Sequence, residues 1–521
     1  RGAEAGGARA SAEAPEDDRG AQARGPGRLI APAAALLALG ALVCGACSSV
    51  VPPPASAARA PAPVEAAGAA DAGVPEVFVD GSAAAGGDGS RERPFRALAD
   101  APPHGRLRLA AGVYPGALVL EDVELVGGPA VVLAATPPAT CVRTRGAVRL
   151  ERVQIQGGAA GVVVEGGRAV LAAVSLSGQR GPAIEVATGA ELVLTDSTVQ
   201  ASVSEVPGVH VLQGGKAELV QVRFQGPFRR AVDATQPAAL RLRKVQTQDA
   251  LTGLWVRGGS AVVEGMGVRG GRGPGLYVAG ATVQLRDVRV EGHEYGLLTG
   301  EGAHIDGRGI RSTGAERAGL GLVKSKGTLE DVHVESAGPL GGVQLLASEF
   351  RLRGLEVQGG RASGLVARDA ELTIDGATFR GPSGVDPSDG DAVQIRGGHA
   401  TLGGVRVQDC AGVGVLAAEG ATVSLSRATV SGAGVAGLVA ETEGRLTATD
   451  VSIDRTAGPA VLVTDRGRAQ LRTMTARGNR DGALWAECSQ GVDVEIDGWT
   501  GDVTPMPAPC VHGAWAVTPR R

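Results

Sequence analysis

The chain has 521 residues, of which 43% are hydrophobic, 20% charged and 2% aromatic, and its formal net charge is −4. It has no basic run long enough to grip nucleic acid, and with so few aromatic rings its core must be filled by Val, Leu, Ile and Ala. Length alone suggests several domains, but an internal repeat removes that need.

Residues 1–28 are rich in Ala, Gly, Arg and Glu without periodicity and read as a disordered, pre-signal segment. Arg24 and Arg28 precede an apolar run from Leu29 to Val43, followed by Cys44, Gly45, Ala46 and Cys47. The run is too short for a comfortable membrane span. With a positive flank and small residues ahead of a cysteine, segment 29–47 resembles a bacterial lipoprotein signal, and the resemblance implies a lipid on Cys47. Cys44 departs from the pattern, standing where such signals usually carry Leu. Residues 48–75 are rich in Ala and Pro and read as an extended tether.

A strand is expected at Val77–Val79, then a Gly/Asp/Ser loop, then an amphipathic helix starting at Pro94-Phe95-Arg96-Ala97-Leu98. Such a helix would cover the open end of a stacked core. Asp80, Asp88, Gly89, Ser90, Pro94 and Phe95, followed by the stretch Leu107 to Tyr114, resemble a domain of unknown function that opens many bacterial β-helix proteins.

From there a unit of about 23 residues recurs, a period in the solenoid range. Aligned on Val288 of Arg286-Asp-Val-Arg-Val290, its copies place Val153, Val174, Ser197, Val222, Val245, Met266, Arg308, Val332 and Leu355 at one level. A second apolar residue follows two positions later in most copies, as a strand with one buried face requires. A small residue then precedes another apolar pair, as at Gly253-Leu254, Gly275-Leu276 and Gly319-Leu320. Coils this short, with Gly-rich corners, suit a parallel β-helix, because corners need positive φ or little bulk. Helical repeats do not fit, since Gly and β-branched residues fall where helix interiors would lie. The repeats resemble those of the pectin-lyase-like right-handed β-helix superfamily over roughly Val77 to Val511. The expected fold is all-β: one solenoid of about 15 coils over residues 76–488, about 70–75 Å long, with a short N-terminal capping helix. Residues 489–521 are expected to form a C-terminal cap and tail. Cys488 and Cys510 could pair there, while Cys141 and Cys410 sit in separate coils and are expected to be free and buried.

The superfamily includes polysaccharide lyases and glycoside hydrolases, and the resemblance implies that an active member would carry their catalytic residues. Asp389-Gly390-Asp391-Ala392-Val393 resembles the paired aspartates of polygalacturonases, but Gly390 occupies one carboxylate position and His399 lacks the glycine that should follow it. An inverting hydrolase needs two carboxyl groups with a water between them. A lyase needs clustered carboxylates beside an arginine; Asp287, Asp331, Arg289 and His333 are interrupted by Gly307 and Gly309. No catalytic residue is therefore assigned. Asp386, Asp389 and Asp391, in an insert spanning Gly381–Asp391, are candidate Ca²⁺ ligands, and no other cofactor is expected. In the strand carrying Gly275-Leu-Tyr-Val, alternation points Glu185, His210, Asp233, Trp255 and Tyr277 outward on successive coils. They form a candidate ligand-binding ladder, with flat aromatic faces for a sugar chain to dock on.

The sequence thus reads as a monomeric, lipid-anchored bacterial envelope protein, at the outer membrane, in the periplasm or at the cell surface. Its β-helix is expected to serve a non-enzymatic binding or structural role, with polysaccharide as the expected partner and no nucleic acid. The alternative is a carbohydrate-active enzyme, a polysaccharide lyase or a glycoside hydrolase.

Overall fold

The computed structural model describes residues 76–201, 203–383, 390–502 and 505–514. The signal and tether with Cys47, and Asp386 and Asp389 of the insert, lie outside the described residues.

The chain folds as a right-handed parallel β-helix of about 17 turns, slightly more than the sequence suggested. Each coil contributes to three parallel sheets. In the coil around Trp255 the first-sheet strand is Thr252–Arg257, the second Ser260–Glu264 and the third Gly267–Arg269. The next coil begins at Leu276–Ala279, and its second and third strands merge into one bent strand, Thr282–Glu291. The bend is at Asp287, whose φ is +52°. The equivalent corner one coil on is Gly309, with φ +69°, and then Asp331, with φ +52°. A left-handed residue at this point turns the strand without ending its pairing, and Asp tolerates that region better than most side chains.

Inside, like residues stack on like. Val283, Leu285, Val288 and Leu297 are each 1% exposed or less. Burial of such a side chain is worth about 1.5–3 kcal/mol, so a core built from many identical levels needs few aromatic rings. Where a glycine opens a first-sheet strand it has a packing role. A Cβ on Gly275 would overlap the side chain of Val290, and one on Gly319 would overlap Val334. The third-sheet valine occupies the space that these glycines vacate.

Three expectations change. Val288 pairs with Ile310, and Arg308 lies opposite Arg286 instead. Arg308 is exposed and bonds Asp331 at 3.0 Å, whereas Ile310 is 3% exposed and Ser312 takes the level of Val290. The N-terminal helix is a single 3-10 turn at Leu98–Asp100. Phe95 cannot start a helix because its backbone is extended: its N–H donates to Phe78 O at 2.9 Å and its carbonyl accepts from Asp80 N at 2.8 Å. Finally, the coils run past residue 488. Asp493–Gly501 pairs with Arg468–Arg477, and Val511–Ala514 pairs in turn with Asp493–Gly501. Trp499 lies opposite Met474 and is 1% exposed, so an indole fills the last full level of the core.

Cys488 and Cys510 form a disulfide with Cα atoms 5.3 Å apart. Cys141 and Cys410 are free and buried, and burial pushes their thiols up to about 11 and about 12.

Candidate functional site

The five outward residues of the first sheet fall on consecutive rungs. Glu185 lies opposite His210, His210 opposite Asp233, Asp233 opposite Trp255, and Trp255 opposite Tyr277. Alternation along each strand sends their neighbours inward, for example Leu254 and Val256 on either side of Trp255, both 0% exposed. Each of the five is thus held by a strand whose register is fixed from within.

The side chains interact along the ladder. His210 Nδ1 is 3.6 Å from Glu185 Oε2. Arg230 donates to Asp233 Oδ2 at 2.7 Å, while Asp233 Oδ1 is buried without a hydrogen-bond partner. The Arg230 guanidinium also lies 3.8 Å from the Trp255 ring centroid. Trp255 and Tyr277 are stacked, with centroids 3.9 Å apart and planes 24° from parallel. That separation is shorter than the rung spacing of about 4.8 Å. The rings therefore stand up from the sheet and lie across the rod axis, closed against each other.

This arrangement corrects the expectation of open aromatic faces. Arg230 and Tyr277 occupy Trp255, so neither flat face of the indole is free for a sugar. The ring edges remain half-buried and outward, and the indole N–H and the phenol have no hydrogen-bond partner among the described residues. Burial raises the Tyr277 phenol above its ordinary value. The hydroxyl therefore stays protonated and can donate. Arg230 was missed in the sequence because it lies at the strand entry, three residues before Asp233, outside the ladder's own register.

Asp391, the described member of the insert's three carboxylates, is 3% exposed. Val413 N donates to its Oδ1 at 2.5 Å and Gln394 Nε2 to its Oδ2 at 2.7 Å. Burial pushes its carboxyl up to about 6. Among the described residues no three His, Cys, Asp or Glu side chains gather as metal ligands. His399 is on the second sheet, exposed, and contacts Glu371 at 2.9 Å. Asp391 precedes the long strand Val393–Gln408, which runs through all three sheets and whose first-sheet residues Val393 and Ile395 point into the core. Asp287 and Asp331 occupy corners on either side of Gly309, and Arg311 separates Arg289 from His333 on the third sheet.

A family model described as "Right handed beta helix region" matches residues 341–498. No curated protein matches the chain in sequence. Among solved structures, the catalytic domain of a GH87 alpha-1,3-glucanase in complex with nigerose is similar over 74% of this chain, at 11% identity and a TM-score of 0.24. The chain spans only 63% of that domain's length. The A-module of a mannuronan C-5 epimerase from Azotobacter vinelandii aligns over 77% of this chain and 92% of its own, at 13% identity and a TM-score of 0.25. A rhamnogalacturonan lyase aligns over 64% and 82%, at 8% identity and a TM-score of 0.19. These likenesses carry no statement about the chemistry of this chain.

Proposed function

We propose that this protein is a lipid-anchored component of a bacterial envelope whose β-helix binds polysaccharide without transforming it. One observation carries the reading. The column of Arg230, Trp255 and Tyr277 presents an indole N–H and a phenol hydroxyl, both unpaired among the described residues, on one outward ladder of a rigid sheet. Polar groups fixed at rung spacing beside apolar ring edges suit the hydroxyls and C–H faces of an extended sugar chain. His210 and Glu185 continue the ladder with further hydrogen-bonding groups. The partner is a cell-envelope or extracellular glycan, and Cys47 supplies the membrane anchor through its lipid. The protein acts as a monomer and takes no cofactor and no nucleic acid.

The test is a screen of neutral and acidic envelope glycans with the wild type, then with Trp255→Ala and Tyr277→Ala. Intact folding with lost binding to a neutral glycan supports the ladder. Unchanged binding of a neutral glycan in both variants, or no binding of any neutral glycan by the wild type, refutes it.

A further inference from the structure

A second surface carries charge that no protein group answers. On the third sheet the outward residues of consecutive coils are Arg223, Gln246, Gly267, Arg289 and Arg311, each opposite the next. The two glycines Gly265 and Gly267 leave out side chains where the flanking coils carry Lys244, Gln246 and Arg289, and a hollow opens above them. Two adjoining cavities of about 650 Å³ and about 530 Å³ share Arg223, Gln246 and Gly265, so they form one groove along the rod.

The groove is basic in a chain that is acidic overall. The side chains of Arg223, Lys244, Arg289 and Arg311 have no ion-pair or hydrogen-bond partner among the described residues. The fifth cation, Arg269, is bonded to Glu291 at 3.0 Å. That leaves Asp196 and Asp287 as the carboxylates lining the groove that are not ion-paired. Arg289 and Arg311 lie directly opposite each other, and like charges so placed weaken a sheet. Some arginines nearby are answered, Arg308 by Asp331 at 3.0 Å and Arg353 by Glu330 at 2.9 Å. The unanswered row stops where His333 meets Glu356 at 3.3 Å. The Gln225, Gln246 and Gln248 amides also have no partner among the described residues, and they line the same hollow.

We infer that this third-sheet groove binds a linear acidic polysaccharide, with Arg289 and Arg311 pairing the carboxylates of neighbouring uronate residues and Arg223 a further one. Guanidinium groups match carboxylates bidentately, and glutamine amides serve the sugar hydroxyls. Four rung steps separate Arg223 from Arg311, about 19 Å. A charge repeated along a rung ladder favours a polymer with charge repeated along its chain over a compact anion. The open, shallow hollow over glycine suits a chain lying along the rod. The site is independent of the first-sheet column.

The test is calorimetric titration of the full chain with a short oligogalacturonate at low salt. Dextran, a single-stranded oligonucleotide and phosphatidylglycerol vesicles run alongside. Wild-type binding should weaken as salt rises, and the double variant Arg289→Gln/Arg311→Gln should lose at least ten-fold in affinity with its melting temperature kept. Gly267→Glu, which fills the hollow and leaves both arginines, should lose binding as well, and it stands in if the double variant does not fold. Trp255→Ala and Tyr277→Ala should bind the acidic chain as the wild type does, so failure of the first-sheet reading shows only with neutral glycans. Absence of wild-type binding, equal binding by the variants, or tighter binding of the oligonucleotide or the vesicles would overturn the inference.

Discussion

Asp391 gives a prediction whose size follows from its surroundings. Its carboxyl is nearly without solvent, and burial lifts it from the ordinary 3.8 to about 6 against the opposing pull of Val413 N–H, the Gln394 amide and Arg396. A carboxyl that holds its proton more tightly when folded adds stability below its unfolded value. That contribution fades as pH rises through the folded value. At about 1.36 kcal/mol for each tenfold change, the rise amounts to about 3 kcal/mol between pH 3.5 and pH 7. Asp391→Asn removes the titration. Its new amide would face Gln394 Nε2, so Gln394 must turn over and give up the 3.3 Å bond from Arg396; that cost does not vary with pH. Coils of a solenoid open locally, so hydrogen exchange of peptides spanning 391–418, which contain the Val413 N–H, is the suitable measurement. The ratio of wild-type to Asn protection, taken at each pH, cancels intrinsic exchange and every other titrating group. It should fall roughly a hundred-fold from pH 3.5 to pH 7. A flat ratio would show that Asp391 is not the buried, reluctantly ionised group described above.

Other perturbations test the register, the site and the anchor. Ile310→Asp should cost several kcal/mol by burying an unpaired carboxylate, while Arg308→Ala should change stability by less than about 1 kcal/mol; similar urea midpoints for the two would mean the strand phase is misplaced. Ser312 stands beside Gly296 as Val290 stands beside Gly275, but its hydroxyl is buried and unpaired. Ser312→Val should therefore raise stability by about 1–2 kcal/mol, read from the same midpoints, and a loss would mean the space is already full. Calorimetric titration with millimolar Ca²⁺ should give no heat, because Val413 and Gln394 already occupy the Asp391 oxygens; a saturable signal lost in Asp391→Asn would restore the cation reading. Expressed as the full chain, Cys47→Ser should move the protein from the membrane fraction to the soluble one, and an unchanged distribution would refute the proposed lipid on Cys47.

The fold was legible because its strongest requirement is repeated. Val153, Val174, Val222, Val245 and Val288 recur one or two coils apart, and each feeds the same internal level. The slip at Arg308 shows what the pattern conceals. In that coil Ser312 replaces the apolar residue and Gly309 replaces the aspartate of the neighbouring corners, so both hydrophobic and polar markers are lost at once. The constant feature is the left-handed corner, a backbone property that Gly adopts freely and Asp tolerates and that composition does not separate. Alternation correctly put Trp255 and Tyr277 on the outside of one sheet. It could not orient the rings, because ring planes depend on contacts between coils, here with Arg230. The third-sheet groove was hidden for the same reason: its arginines are scattered through the sequence and become a row only when the coils stack.

The bond between Cys488 and Cys510 closes a loop of about one coil, its ends 22 positions apart in the sequence. A stacked rod ordinarily unravels from its two ends, turn by turn, because each turn is held only by its neighbour. Here the last turn is a covalent ring. It cannot pay out chain into solvent one rung at a time, and closing a loop of this size removes about 3 kcal/mol of freedom from the loosened state. The two ends of the rod are therefore not equivalent. Among the described residues the end marked by Glu76 carries no such ring, so unravelling is expected to start there and to advance toward a clamp that keeps the final turns ready to serve as the template on which the rest rewinds.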